Sequence, residues 1–204
     1  MITFLKSEEQ HQHPNGGGWV ANTATVDASA FVGSDARVYG NAQVSDNAQV
    51  SGNARVYGDA QLYGDARVSG DALVYGDAWV SGDARVYGNA RVYGDAQVFG
   101  NAQVFGDAKV FGNALVSGNA QVSGDAQVSG DAWEESPLYI QGTKHSITNC
   151  AYGQIAIGCQ VHTFAEWKAE YKAIGKAAGY TAAQVKEYGL LIAVVTKLGK
   201  KAIK

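Results

Sequence analysis

The sequence predicts a mainly β protein, a parallel β-helix of about six coils with a small C-terminal α+β cap. Three observations predict it. A six-residue unit, Val-x-Gly-Asp/Asn-Ala-x, recurs nineteen times without insertion, its Val (Leu at position 62) standing at 20, 26, 32 and onward to 128. Gly makes up 26 of the 204 residues and Pro only 2, and most of the Gly falls at one place in the unit. That fixed place marks a built repeat rather than a Gly-rich disordered tract. After Ala132 the period stops, and the composition changes to one with two helix-start signatures.

Within each unit, Ala-x-Val reads as a three-residue strand with Ala and Val on one side and x on the other. The inward Ala column runs 24, 30, 36 through 132. Gly-Asp/Asn reads as a turn, because Gly accepts φ values closed to other residues and Asx side chains bond nearby backbone. A unit this short winds instead of folding back, so each strand pairs with the strand one full coil later. Three units make a triangular coil of 18 residues, and nineteen make slightly more than six coils. At ~4.8 Å per coil the prism is about 30 Å long. Its interior is a set of Val and Ala ladders.

Val-x-Gly-Asp-Ala-Arg in tandem resembles the hexapeptide-repeat proteins that form left-handed parallel β-helices. The resemblance covers residues 20–132 and implies the left hand, which the period alone does not set. Gly stands one place later than in the usual pattern, as in a subset with very regular AxVxG[ND] units. Many members of the family are trimeric acyltransferases using acyl-coenzyme A, and fold alone does not carry that activity over. Highly regular repeats with a small mixed cap also resemble proteins of bacteriophages and prophages.

Taking every third unit separates three outer faces. On the first, the residues after Val are Ala21, Tyr39, Tyr57, Tyr75, Tyr93, Phe111 and Ser129. The residues before Val are Trp19, Arg37, Arg55, Leu73, Arg91, Lys109 and Gln127. The other two faces are more polar. The candidate contact surface is therefore Tyr39, Tyr57, Tyr75, Tyr93 and Phe111 beside Arg37, Arg55, Arg91 and Lys109. It suits a subunit interface, where Tyr and Arg are favoured. It also suits an anionic ligand or single-stranded nucleic acid, the last being disfavoured. A third reading is structural: stacked cross-strand pairs contribute roughly 0.2–1 kcal/mol each with no partner at all.

The corner Asp and Asn residues form ladders too, but lack the Gly-Gly-x-Gly-x-Asp pattern of calcium-binding repeats and read as solvated turn residues. His11 and His13 read as exposed loop residues, without a third ligand for a metal. Residues 1–19 are expected to cap the open start of the prism, with Ile2-Thr3-Phe4-Leu5 as a short strand and Pro14-Asn15-Gly16-Gly17-Gly18 as a loop. Residues 20–132 form the β-helix and 133–204 the second cap. In that cap, 138–140, 146–148 and 154–157 read as strands, with a turn at Ala151-Tyr152-Gly153. Thr163 and Thr181 begin capping boxes, with Phe164, Trp167, Tyr171 and Ile174 on one face of the first helix and Val185, Tyr188, Ile192 and Val195 on one face of the second. Gly179 and Gly199 end them. The pair has the outline of a helix-turn-helix, but its aromatic residues fall at core spacing, which favours packing over DNA binding.

Residues 1–161 carry 8 Lys/Arg against 16 Asp/Glu, whereas 162–204 carry 8 Lys against 3 Glu, so a basic tail follows an acidic body. No secretion signal or long apolar run appears, and Cys150 and Cys159 read as reduced thiols of a cytoplasmic protein. No His stands between 14 and 144, and no loop interrupts the repeats to hold one. A Cys–His pair among His145, Cys150, Cys159 and His162 is the one catalytic option in the cap. The sequence therefore points to a non-enzymatic, homo-oligomeric binding or structural protein without cofactor, metal or membrane anchor. It would bind a protein or a nucleotide-like anion between subunits, and the resemblance implies a trimer. The alternative is an acyl-coenzyme A-dependent acyltransferase.

Overall fold

A computed structural model describes residues 9–130, 132–133 and 136–199. The expected strand Ile2-Thr3-Phe4-Leu5 and the last five residues of the basic tail, 200–204, lie outside the described residues.

The repeat winds into a parallel β-solenoid with three sheets. One contains Trp19–Ala21, Arg37–Val38, Arg55–Val56, Leu73–Gly76, Arg91–Gly94, Lys109–Phe111 and Gln127–Ser129, each strand paired with the one 18 residues on. The other two are built alike from the units starting at Thr25 and Phe31. Alternate N–H groups reach the coil ahead: Arg37 N donates to Ala54 O at 3.1 Å, Tyr39 N to Val56 O at 3.0 Å and Asn41 N to Gly58 O at 2.8 Å. The bonding thus continues round the corner, and the regular strand shortens to x-Val in most units. From Ala30 to Val128 the inward Val, Leu62 and Ala side chains are buried, so the core is one continuous column.

Turn geometry explains the Gly. From Gly40 onward the turn Gly has φ of +61° to +75° at the first central position, the pattern of a II′ turn. A Cβ on Gly58 would lie 3.0 Å from Gly76 N and 3.1 Å from Gly76 O, so conformation and stacking both demand Gly there. At position 46 the unit has Asp instead, and it adopts φ +58° with its carboxylate accepting from Gly64 N at 2.9 Å. Asp tolerates this region better than most residues because its side chain bonds locally.

Both ends are closed. Gln10–Gln12 pairs antiparallel with Trp19–Ala21. The loop after it covers a second sheet, with Gly18 N donating to Val32 O at 2.8 Å and Val32 N to Asn15 O at 3.0 Å. Capping in this way removes edges that would otherwise pair with other chains. His13 departs from expectation. It is 3% exposed, and its Nδ1 lies 3.2 Å from Asn15 O and 3.3 Å from Asn15 N, so it orders the capping loop. His11 is exposed as expected and meets Asn22 Oδ1 at 3.1 Å.

The far end also departs from expectation. The period predicts Ala132 inward, but Trp133 occupies the inward place, pairing with Val116 after 17 residues rather than 18. One residue of slip turns a side chain from one face of a strand to the other. The slip drives the largest side chain available into the open end, where Trp133 is 3% exposed.

The cap is a four-stranded antiparallel meander, Tyr139–Gln141, Ser146–Ala151, Gln154–Ile157 and Gln160–Thr163, followed by α1 (Phe164–Ala177) and α2 (Ala182–Leu198). The fourth strand was not expected. Both capping boxes form, at Thr163 with Glu166 and at Thr181 with Gln184. Trp167, Tyr188, Ile192 and Val195 pack on Ile147 and Ile155 as a second core, which supports the packing role over DNA reading. Gln127 Nε2 donates to Gly158 O at 3.3 Å, and Gln121 N to Ser136 Oγ at 2.9 Å, tying cap to prism.

Candidate contact face

The first face places its side chains as the 18-residue coil requires. Tyr39, Tyr57, Tyr75, Tyr93 and Phe111 form one unbroken stack, with ring centroids 4.8, 4.9, 5.0 and 5.3 Å apart and planes within 9° of parallel. Each ring gives its π face to the ring above or below. The stack therefore turns ring edges and phenol oxygens outward. Base stacking needs free π faces, so this geometry argues against the single-strand nucleic-acid reading.

Arg37, Arg55, Leu73, Arg91 and Lys109 form the parallel column two residues away on the same strands. Among the described residues, the guanidinium groups of Arg37, Arg55 and Arg91 have no hydrogen-bond or ion-pair partner, nor do the hydroxyls of Tyr39, Tyr57, Tyr75 and Tyr93. By contrast Tyr63 donates to Gln61 Oε1 at 2.6 Å and Tyr87 to Gln103 Oε1 at 3.2 Å on the other faces. The first face thus presents donors and acceptors that the described residues leave free.

Burial in the stack pushes the Tyr39, Tyr57 and Tyr75 hydroxyls above their ordinary value of 10.0. A neighbouring phenol adds to the rise at Tyr57 and Tyr75, and nearby Arg residues oppose it. The protonated form is the one the fold favours, so the ladder's contribution is full below pH 10 and is lost as pH rises through the raised values. Alkaline titration followed by phenolate absorbance should therefore show these tyrosines ionising later than in the unfolded chain. Stability should fall over the same range.

At the corner beside the basic column, Asn89, Arg91, Asp107, Lys109, Asp125 and Gln127 line an open groove of about 290 Å³. Asn stands one coil before Asp at several corner positions, and Asn41, Asn53 and Asn89 donate to Asp59, Asp71 and Asp107 at 3.1, 3.0 and 3.0 Å. These bonds relieve part of the carboxylate repulsion that an all-Asp ladder would meet at about 1 kcal/mol per pair. Among the described residues no group of three or more His, Cys, Asp or Glu is placed to hold a metal.

The catalytic option in the cap fares poorly. Cys150 is buried, which pushes its thiol to about 11 and keeps it protonated at neutral pH. His145 lies beside Gly158 and tilts against Tyr180 at 6.0 Å, whereas His162 meets Gln160 Oε1 at 3.2 Å and the edge of Trp167 at 4.9 Å. Cys159 is exposed in the turn between two strands. A partly open space lined by Ile157, Trp167, Tyr171 and Tyr188 is about 30 Å³, room for one water.

One surface feature escaped the sequence reading. Leu190 and Leu198 are 63% and 62% exposed on α2, with exposed Val194 between them at helical spacing. The visible signal is the absence of charge from Tyr188 to Thr196, since a helix apolar on all sides has two faces to cover. No helix among the described residues is long and apolar enough to cross a membrane.

The fold and its repeat define a β-solenoid repeat protein. The chain is similar to the YdcK β-solenoid repeat over residues 48–64, 60–76, 66–82, 84–100, 108–124 and 120–136, all but the end of the last within the prism. No curated protein matches the chain.

Proposed function

We propose that the protein is a non-enzymatic, homo-oligomeric β-helix of the hexapeptide-repeat kind, whose first face is a rigid protein-contact surface. The observation that carries this reading is the column of Arg37, Arg55 and Arg91, unpartnered among the described residues, beside the ordered Tyr39–Phe111 stack. A surface held by five stacked rings loses little side-chain freedom on association, which lowers the cost of binding. The family resemblance extends the proposal to a cytoplasmic, phage-type protein and implies a trimer. The groove at Arg91, Lys109 and Gln127 favours a second reading, capture of a nucleotide-like anion at the edge of that surface.

Light scattering tests the proposal. Tyr57→Glu with Tyr75→Glu should lower the assembled mass, and an unchanged mass would count against the face. Acyl transfer from acyl-coenzyme A by the purified protein would overturn the non-enzymatic reading.

A further inference from the structure

We infer that the first face binds the same face of a second copy, a two-fold pair in place of the trimer that the family resemblance implies, the two prisms lying parallel about an axis that runs along the coil direction. The inference rests on the reading of that face as a contact surface and names its partner and geometry. It follows from the order of the columns. Along each strand the outward residues read cation, then aromatic: Arg37 and Tyr39, Arg55 and Tyr57, Arg91 and Tyr93, Lys109 and Phe111. The two columns stand about 7 Å apart at almost the same height, two strand residues apart.

A two-fold axis along the coil direction exchanges left and right and leaves height unchanged. Each cation column then faces the partner's aromatic column, level by level. Guanidinium groups at 37, 55 and 91 donate to phenol oxygens at 39, 57 and 93 of the other copy, and Leu73 meets the ring edge of Tyr75. Lys109, which has no hydroxyl opposite, lays its stem on Phe111. Both copies share one coil rise, so matching one level matches all. An antiparallel arrangement, with the axis across the coils, sets cation column against cation column instead. Donors and acceptors that lack partners among the described residues find them only in the parallel pairing.

The contact is modest in size. A face about 30 Å tall and roughly 15 Å wide covers about 900 Å² over both copies, the range of weak and transient interfaces. Dimerisation should therefore depend on concentration. The corner carboxylates of the two copies meet at the rims, so added salt should strengthen the association by screening them. A polyanion on the same face would respond in the opposite direction.

Cysteine cross-linking in the full chain tests the geometry. Arg55→Cys and Tyr57→Cys are prepared separately in a Cys159→Ser background, Cys150 being buried, and treated with a short thiol–thiol linker. The mixture of the two should cross-link several-fold faster than either alone. Equal or faster cross-linking within one variant would overturn the parallel two-fold while leaving the face reading intact. A monomeric mass for the unmodified protein at every concentration would overturn it as well. So would a dimer that tolerates Arg55→Glu with Arg91→Glu but is lost on Leu190→Asp with Leu198→Asp, which would place the contact on α2.

Discussion

Replacing Trp133 with Ala should destabilise the protein by about 3–5 kcal/mol, the usual cost of emptying a buried indole site. The ring closes the end of the Val and Ala column, where Val26, Val44, Leu62, Val80, Val98 and Val116 lead up to it on one side of the core. Loss of the ring uncovers the last coil as well as leaving a cavity. Trp133→Phe should behave differently. Trp133 Nε1 is buried without a hydrogen-bond partner, and an unsatisfied buried donor costs about 1–3 kcal/mol. Phe keeps most of the ring and removes that donor, so its stability should lie within about 1 kcal/mol of the unmodified protein. Urea denaturation of both variants checks the pair. If the two lose stability equally, the ring is not the plug.

A turn substitution should rank next. Gly58→Ala is expected to cost about 2–4 kcal/mol, because a left-handed φ costs an L-residue about 1–2 kcal/mol and the new methyl also crowds a packed neighbour. That neighbour is the backbone of Gly76 in the next coil, which cannot swing aside as a flexible side chain would. Gly112→Ala provides the control. Its φ is +61°, but the nearest atom to a Cβ there is Gly130 N at 4.0 Å, so only the conformational part should appear. The difference between the two variants measures how tightly the coils stack.

The solenoid was legible because every unit repeats one decision: Val and Ala inward, x outward, Gly at the corner. The 18-residue grouping alone puts Tyr39, Tyr57, Tyr75 and Tyr93 in line. Features that depend on a single event were not legible. The slip at Trp133 depends on what closes the end, and a period carries no information about its own termination. The strand Gln160–Thr163 alternates around an exposed Val161, so it shows no apolar face. His13 looked like a loop residue because its burial comes from a loop folded over the prism. The outward stripe on α2 was hidden behind the inward one, since the helix start and core spacing accounted for the segment without it.

The orientation of the aromatic rings was the part of the contact face that residue spacing left open. Stacking in register was expected, and the structure shows the π faces turned on one another, which leaves ring edges for a partner. That changes the chemistry on offer from ring faces to a row of hydroxyls beside a row of cations.

The claim that contact resides on the first face is tested most directly by placing the same charge change on each face and measuring mass by sedimentation equilibrium. The three variants are Tyr57→Glu with Tyr75→Glu on the first face, Ser45→Glu with Ser81→Glu on the second, and Ser51→Glu with Ser69→Glu on the third. Contact through the first face predicts a fall toward the monomer mass for the first variant alone. An equal fall for all three, or a fall confined to the second or third, would contradict it.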